Sequence, residues 1–397
     1  MNCLLVEPQI KKSWGHNNQF VGLLRIANWL KSTKNKIVYV RHPDYPAING
    51  LFDKGFYPDE IYVSSMFTYS YKEVWETVRY CRENYPKAKI NLGGIYATIC
   101  PEHARQSGAD EIMIGRHSLA KDYPPDPSIL PYKQDFAYLF SSYGCNRACT
   151  YCATHILFGK GITQTHPDKV INEIKFLISH GFKNIWFGDD NLMYNAENHI
   201  NIICEKIIQE KIKVNLKVPG GISAKDFSFN TAKLMKQAGF TKISFAIEST
   251  ADEVRKKMGR KNNVTQEDLI QALEYCDKVG FNRGEIDVYF IIGLPYQKID
   301  DMVDTLVFLI KCGVWAHPQR LTPIPHTIDW KRMNLENWDL ADLYYKTFVA
   351  PNQDNFTHID LETIYKIARF FNIGQRYSSF NWLLANNRVT NLFQKKL

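Results

Sequence analysis

No stretch of this 397-residue chain stays apolar long enough to cross a bilayer. Runs such as Ile171 to Ile178 are broken by Asn172, Glu173 and Lys175, whereas a spanning helix needs roughly 20 mainly apolar residues, so no membrane partner is expected. Blocks of like charge are missing too. The net charge of +8 comes from Lys and Arg scattered among acids, and Lys395-Lys396 is too short a run to count. Without a basic patch interleaved with aromatics, a nucleic-acid partner is not expected. An apolar signal segment is absent from the N-terminus and the cysteine count, nine, is odd. A disulfide scaffold is therefore not expected, and a reducing, cytoplasmic interior is. A second cysteine cluster is also absent, since Cys204, Cys276 and Cys312 lie singly in helical stretches and Cys3, Cys81 and Cys100 are dispersed. What is present is ample apolar material, 45% of residues, enough for two or three ordinary domains.

The cysteines that do gather are Cys145, Cys149 and Cys152, within Ser141-Ser142-Tyr143-Gly144-Cys145-Asn146-Arg147-Ala148-Cys149-Thr150-Tyr151-Cys152, just after an apolar strand-like run. Three thiolates at this spacing hold three irons of a [4Fe-4S] cube and leave the fourth open to a ligand that is not protein. A tetrahedral zinc site using the same three thiols and His155 is compatible with the spacing, as are unliganded core cysteines.

Around this stretch the chain alternates. Strands are expected at Asn2 to Pro8, Lys36 to Val40, Glu60 to Ser64, Lys89 to Leu92 and Glu111 to Ile114, with helical periodicity at Val21 to Leu30, Tyr71 to Glu83 and Pro101 to Gln106. That rhythm predicts a Rossmann-like α/β domain over residues 1–120, with ligands at the carboxyl ends of its parallel strands. Asp122-Tyr123-Pro124-Pro125-Asp126-Pro127 marks a Pro-rich linker, 121–135. Six further strand and helix units over 136–325 begin with strands at Phe136 to Ser141, Asn184 to Phe187 and Lys213 to Val218. Strands at Lys242 to Ile247, Ile286 to Ile292 and Pro318 to Thr322 complete them. Polar loops follow four of these strands: Gly188-Asp189-Asp190-Asn191, Pro219-Gly220-Gly221, Glu248-Ser249-Thr250 and Gly293-Leu294-Pro295, the positions at which a parallel barrel does its chemistry. Residues 326–397 read as a small helical segment, with helices at Asn337 to Phe348 and Leu361 to Phe371.

The motif Cys145-x3-Cys149-x2-Cys152, with Tyr151 before the last cysteine, resembles the signature of the radical S-adenosylmethionine (SAM) superfamily. The six strand and helix units resemble its partial (β/α)6 barrel. The resemblance implies that the open iron takes the amino and carboxylate groups of SAM, whose reductive cleavage yields methionine and a 5′-deoxyadenosyl radical. It assigns Asp189, Asp190 and Asn191 to the methionine amino group and Tyr151, Gly221, Glu248, Ser249, Gly293 and Leu294 to the surroundings of SAM. The order of Val21-Gly22-Leu23-Leu24, Ser65-Met66-Phe67-Thr68-Tyr69 and Leu92-Gly93-Gly94-Ile95-Tyr96 resembles the cobalamin-binding domain that precedes many such barrels. Thr68, Gly93, Gly94 and Gly115 are thereby placed around cobalamin. Two features depart from that pattern: His16 lies in the first loop without an Asp-x-His-x-x-Gly motif, and Gly115-Arg116-His117 replaces the usual acidic end. His42 to Glu60 reads as lacking a full helix.

The expected protein is therefore a cytoplasmic radical SAM enzyme acting on an unactivated carbon of a small molecule, with cobalamin-dependent methyl transfer as its outcome. A flavodoxin- or ferredoxin-type protein would supply the electron. Tyr289 is a candidate proton or hydrogen-atom donor, on one strand face with Glu285 and Asp287; Arg320, His326 and Trp330 are candidates for substrate contact. The alternatives are a radical cyclisation, rearrangement or methylthiolation without cobalamin, and a non-enzymatic iron-sulfur redox sensor.

Overall fold

The computed structural model describes residues 1–8, 10, 19–41, 55–259, 264–351 and 353–374. His16 and most of the segment from His42 to Glu60 lie outside them. Two compact units result. The first holds Met1–Asn191, Gln209–Leu216 and Thr322–Phe348; the second holds Leu192–Ile208, Lys217–Leu321 and the chain from Val349 on.

The first unit opens with a five-stranded sheet of β1 (Asn2–Glu7), β2 (Lys36–Arg41), β3 (Glu60–Ser65), β4 (Lys89–Gly94) and β5 (Glu111–Ile112), ordered β2-β1-β3-β4-β5 and parallel throughout. A parallel sheet is covered on both faces, so its strands read as continuous apolar runs. Cys3, Leu4, Leu5 and Val6 are accordingly fully buried. The helix Val21–Ser32 packs its buried Leu23, Leu24, Ala27 and Leu30 into the core cluster that contains Cys3 and Leu5. The strand order reverses beside β1, which makes the carboxyl ends of β1 and β3 the crevice of this domain.

The first unit continues with β6 (Phe136–Leu139), β7 (Ser142–Cys145), β8 (Gly161–Gln164) and β9 (Asn184–Phe187). Strand β6 pairs with β9 in parallel, while β7 and β8 form an antiparallel hairpin. Strand β10 (Asn215–Ile222) begins in this unit and passes into the second, where β11 (Phe240–Glu248), β12 (Asp287–Ile292) and β13 (Trp315–Arg320) follow it in hydrogen-bonded order. Strand β12 pairs in parallel with both β11 and β13. Helices Phe229–Gln237, Gln266–Val279 and Ile299–Lys311 alternate with these strands, and the chain closes on the helix His358–Gly374. The expected fold class holds: a Rossmann-like sheet, six barrel-type strands and a mainly helical end. No helix among the described residues is long and apolar enough to cross a membrane.

Three local readings are corrected. Asn337 to Phe348 forms no amphipathic helix beyond the short turn Leu340–Leu343, which Asp339 caps by accepting from the Ala341 N–H. Its apolar side chains serve packing instead, with Leu343, Tyr345 and Phe348 buried. Pro219-Gly220-Gly221 lies within β10 rather than after it, because a Cβ at Gly221 would sit 2.6 Å from the Ala246 Cβ on β11. The last barrel strand covers Trp315–Arg320 and ends before Thr322.

One buried acid in the first sheet carries a pH prediction. Glu7, at the end of β1, is wholly enclosed, accepts from the Tyr132 hydroxyl at 3.0 Å and lies 3.3 Å from Arg41 Nε. Burial pushes its carboxyl from 4.5 up to about 7, against the opposing pull of Arg41 and Tyr132. A carboxyl that binds its proton more tightly folded than unfolded loses stability as pH rises between those values, here by at most about 3 kcal/mol. Urea unfolding at pH 5 and pH 8 should therefore show a fall in stability that Glu7→Gln flattens.

Candidate functional site

Cys145 ends β7, opposite Gly161 of β8. The hairpin closes tightly because Gly144 has φ of +88° and a Cβ there would meet the Gly161 carbonyl at 2.5 Å. Only glycine permits both. Past Cys145 the loop turns: the Arg147 N–H points to Cys145 Sγ at 3.5 Å, and the Cys152 N–H donates to the Cys149 carbonyl at 3.1 Å. Cys149 is buried, while Cys145, Tyr151 and Cys152 are half-buried. Cys152 Sγ lies 3.1 Å from the Thr154 hydroxyl. Burial pushes the Cys145 thiol up; the Arg147 N–H opposes this, and Cys152 and Asp190 add to it.

The end of β9 braces this loop. Asp189, half-buried, accepts from the Ser141 N–H at 3.2 Å, the Ser141 hydroxyl at 2.7 Å and the Ser142 hydroxyl at 2.7 Å. Burial still raises it to about 6. Asp190 accepts from the Gly144 N–H at 3.0 Å and from Thr154 Oγ1 at 3.3 Å, and Asn191 Nδ2 donates to Asn146 Oδ1 at 3.1 Å. The strand-end carboxylates thus shape the cysteine loop itself, a task local sequence does not reveal.

Among the described residues, no three His, Cys, Asp or Glu side chains are arranged to hold a single metal ion. A cube suits the loop better, since each thiolate then takes its own iron. The donor set of three thiols, with Asp189 and Asp190 engaged by the loop, fits that group.

A cavity of about 550 Å³ opens beside the hairpin, wholly within the first unit. Ser65 at the end of β3, Met66 and Phe67 after it, Gly93 and Gly94 at the end of β4, and Gly115 line it, as do Tyr143, Leu157 and Phe158 of the cysteine region. Gly94 has φ of +99°, and a Cβ there would lie 2.2 Å from the Ser65 carbonyl oxygen. Thr98, missed in the sequence, joins the glycine loops: its hydroxyl donates to the Gly94 carbonyl at 2.7 Å and accepts from the Gly115 N–H at 3.0 Å. Thr68 is buried in the turn Thr68–Ser70, beyond the lining residues. Arg25 and Arg116 were also missed. Arg25 pairs with Glu173 at 2.8 Å, both buried, and Arg116 stacks 3.6 Å over the Tyr143 ring. A charged residue inside the apolar stripe Leu23-Leu24-Arg25-Ile26 was the available signal for the first.

His117 also lines the cavity. Its Nδ1 accepts from the Leu119 and Ala120 N–H groups, and burial lowers its affinity for a second proton. In this arrangement the neutral ring carries its proton on Nε2.

The second unit holds most of the other predicted residues. Glu248 ends β11 with φ of +67°, a backbone state costly for a non-glycine residue. Ser249 is buried, its hydroxyl accepting from the Ala251 N–H at 3.1 Å. Gly293 has φ of +93° and Leu294 is buried. Tyr289 sits 5.5 Å from the His317 ring, and His317 Nε2 is 3.0 Å from Asp287 Oδ1. Glu285 lies in a short turn before the strand rather than on it. Arg320 is engaged by the helix His358–Gly374, 3.3 Å from Glu362. In the first unit His326 is exposed with φ of +69°, and Trp330 is buried.

Residues 139–309 match the family model described as the Radical SAM superfamily. The chain carries a radical SAM domain. Sequence relatives include an uncharacterized methyltransferase of Pyrococcus horikoshii, 28% identical over 254 residues, which are 62% of this chain and 53% of the relative. A threonylcarbamoyladenosine tRNA methylthiotransferase of Thermotoga maritima is 23% identical, over 64% of each chain. A tRNA-2-methylthio-N6-dimethylallyladenosine synthase of Clostridium novyi is 31% identical, over 56% of this chain and 50% of the relative. The chain spans about half to two thirds of the length of these relatives. The radical SAM methyltransferase TsrM of Kitasatospora setae, solved with tryptophan and a SAM analogue, shares the fold at a TM-score of 0.66 and 15% identity, over 84% of this chain and 75% of that one. TsrM solved with cobalamin and a [4Fe-4S] cluster gives 0.65 and 14%, over 84% and 77%. The matched residues thus start at the end of β6 and include the cysteine loop and its Asp189 and Asp190 braces.

Proposed function

We propose that this chain is a cobalamin-dependent radical SAM enzyme that methylates an unactivated carbon of a small molecule. The carrying observation is the shared cavity: the glycine loops assigned to cobalamin by resemblance and the hairpin that presents Cys145 line one space. When bound, the cluster, SAM and cobalamin supply reductive cleavage, a carbon-centred radical and a transferable methyl group.

The chain's own residues do the rest. Cys145, Cys149 and Cys152 hold the cluster and leave one corner to SAM; Asp189 and Asp190 fix the loop so that the thiols face one way. Gly93, Gly94 and Gly115, tied by Thr98, let backbone approach the cobalamin ring system, and Met66, Phe67 and Phe158 keep water from it. The proposed binding relies on enclosure. Tyr151, Gly221, Glu248, Ser249, Gly293 and Leu294 are the residues proposed around SAM, and Tyr289, Arg320 and His326 those proposed toward substrate. A flavodoxin- or ferredoxin-type protein would deliver the electron.

Protein purified without oxygen from cells supplied with hydroxocobalamin should retain corrinoid, near one per chain, and its spectrum should show corrinoid beside the iron-sulfur bands. Gly94→Val, which drives a side chain into Ser65 from a positive φ, should cut corrinoid retention at least about tenfold while leaving iron content unchanged. Cluster-loaded protein that yields deoxyadenosine but never binds corrinoid would instead favour radical chemistry without methyl transfer. The methylthio names of two relatives support that second reading.

A further inference from the structure

The hairpin and the β9 carboxylates hold the cysteine loop near Cys145. Its other end is held from 179 positions away. Thr150, between Cys149 and Cys152, is buried, and its hydroxyl donates to Asp329 Oδ2 at 2.7 Å. In return the Asp329 N–H donates to the Thr150 carbonyl at 3.0 Å. A single aspartate therefore engages both the side chain and the backbone of the residue next to Cys149.

Asp329 is set for this task. It is 1% exposed, and its second oxygen accepts from Arg332 at 2.9 Å, which compensates a buried charge that would otherwise be costly. Thr327 caps the short helix Ile328–Arg332 by accepting from the Trp330 N–H, and Trp330 and Met333 are buried. The same segment is anchored on the Rossmann-like side of the first unit. Lys72 reaches Asp339 at 2.7 Å, and the Tyr69 ring lies 5.4 Å and 6.5 Å from Tyr344 and Tyr345. Residues 322–348 thus form a strut that grips the sheet domain at one end and the cysteine loop at the other.

We infer that Asp329 is a positioning residue for the iron-sulfur cluster: by fixing Thr150 in two directions it fixes where the Cys149 and Cys152 thiols point. The inference rests on the cluster assignment proposed above. A hydrogen bond to an ionised acceptor in a buried place is among the stronger kinds. Its loss frees the loop between two ligands.

The test reconstitutes wild type, Thr150→Val, Thr150→Ser and Asp329→Asn with iron and sulfide. It reads iron per chain, the rate of iron loss to a chelator, and the electron paramagnetic resonance spectrum of the reduced cluster. Asp329→Ala breaks a buried ion pair and is the variant at risk of not folding, so Thr150→Val, which keeps the shape, carries the test; circular dichroism confirms its fold. Thr150→Val should lose iron about tenfold faster than wild type with a changed spectrum. Thr150→Ser should match wild type, and Asp329→Asn, which keeps an acceptor, should fall between. A Thr150→Val protein that holds its cluster and spectrum as wild type does, or a Thr150→Ser protein that fails equally, overturns the inference alone. Wild type that takes up no iron overturns the cluster assignment and this inference together.

Discussion

Cys149→Ala is expected to abolish SAM cleavage without unfolding the chain. Cys149 is 8% exposed and its side chain is small, so the change costs about 1 kcal/mol of stability. Its chemical cost is larger. A cube bound through three thiolates has no spare ligand: Cys145 and Cys152 are the only other cysteines of the loop, and the nearby carboxylates Asp189 and Asp190 are engaged by Ser141, Ser142, Gly144 and Thr154. Iron content should fall by more than half after reconstitution. Deoxyadenosine formation should drop more than about a thousandfold, a modest part of ordinary enzymic rate enhancement. Retention of both by the variant would remove Cys149 from the site.

Asp189→Ala should produce the largest loss of stability. It leaves the Ser141 N–H and the hydroxyls of Ser141 and Ser142 without their acceptor, at two residues that are fully buried. Each orphaned donor costs about 1–3 kcal/mol, less whatever rotating hydroxyls and entering water recover. A net loss of about 3–5 kcal/mol is large against the usual margin of stability. The melting temperature should fall by roughly 5 °C, and the cluster loop should no longer load. Asp189→Asn, which keeps one acceptor oxygen, should show a smaller loss of both. Wild-type melting and iron content in Asp189→Ala would show that the carboxylate does not brace the loop.

Much of this architecture is written in local patterns. The apolar runs of β1, β3, β9 and β12 and the helical spacing of Val21 to Leu30 were legible because burial on a fixed period leaves a fixed trace. The cysteine spacing was legible because the chemistry sets it. The remainder depends on partners distant in sequence. Nothing local at Gly161 says that it closes a hairpin on Gly144, and nothing at Gly221 says that Ala246 needs its space. The spacing of Asp189 and Asp190 suggests a grip for an ammonium group but not that their oxygens also meet the donors of a loop more than 30 residues earlier. Asn337 to Phe348 had helical spacing, yet its rings were required against Tyr69. Asp329 gave no signal at all, since an aspartate in a short turn looks like a cap until its partner is known.

The central claim is an iron corner left vacant by the three cysteines and open to SAM. Electron paramagnetic resonance of the reduced, reconstituted protein, recorded before and after SAM is added, tests it directly. The account predicts a [4Fe-4S] signal that shifts on addition of SAM and, on warming, the release of methionine and 5′-deoxyadenosine. A cluster whose signal ignores SAM, or a protein that takes zinc in place of iron, would contradict it.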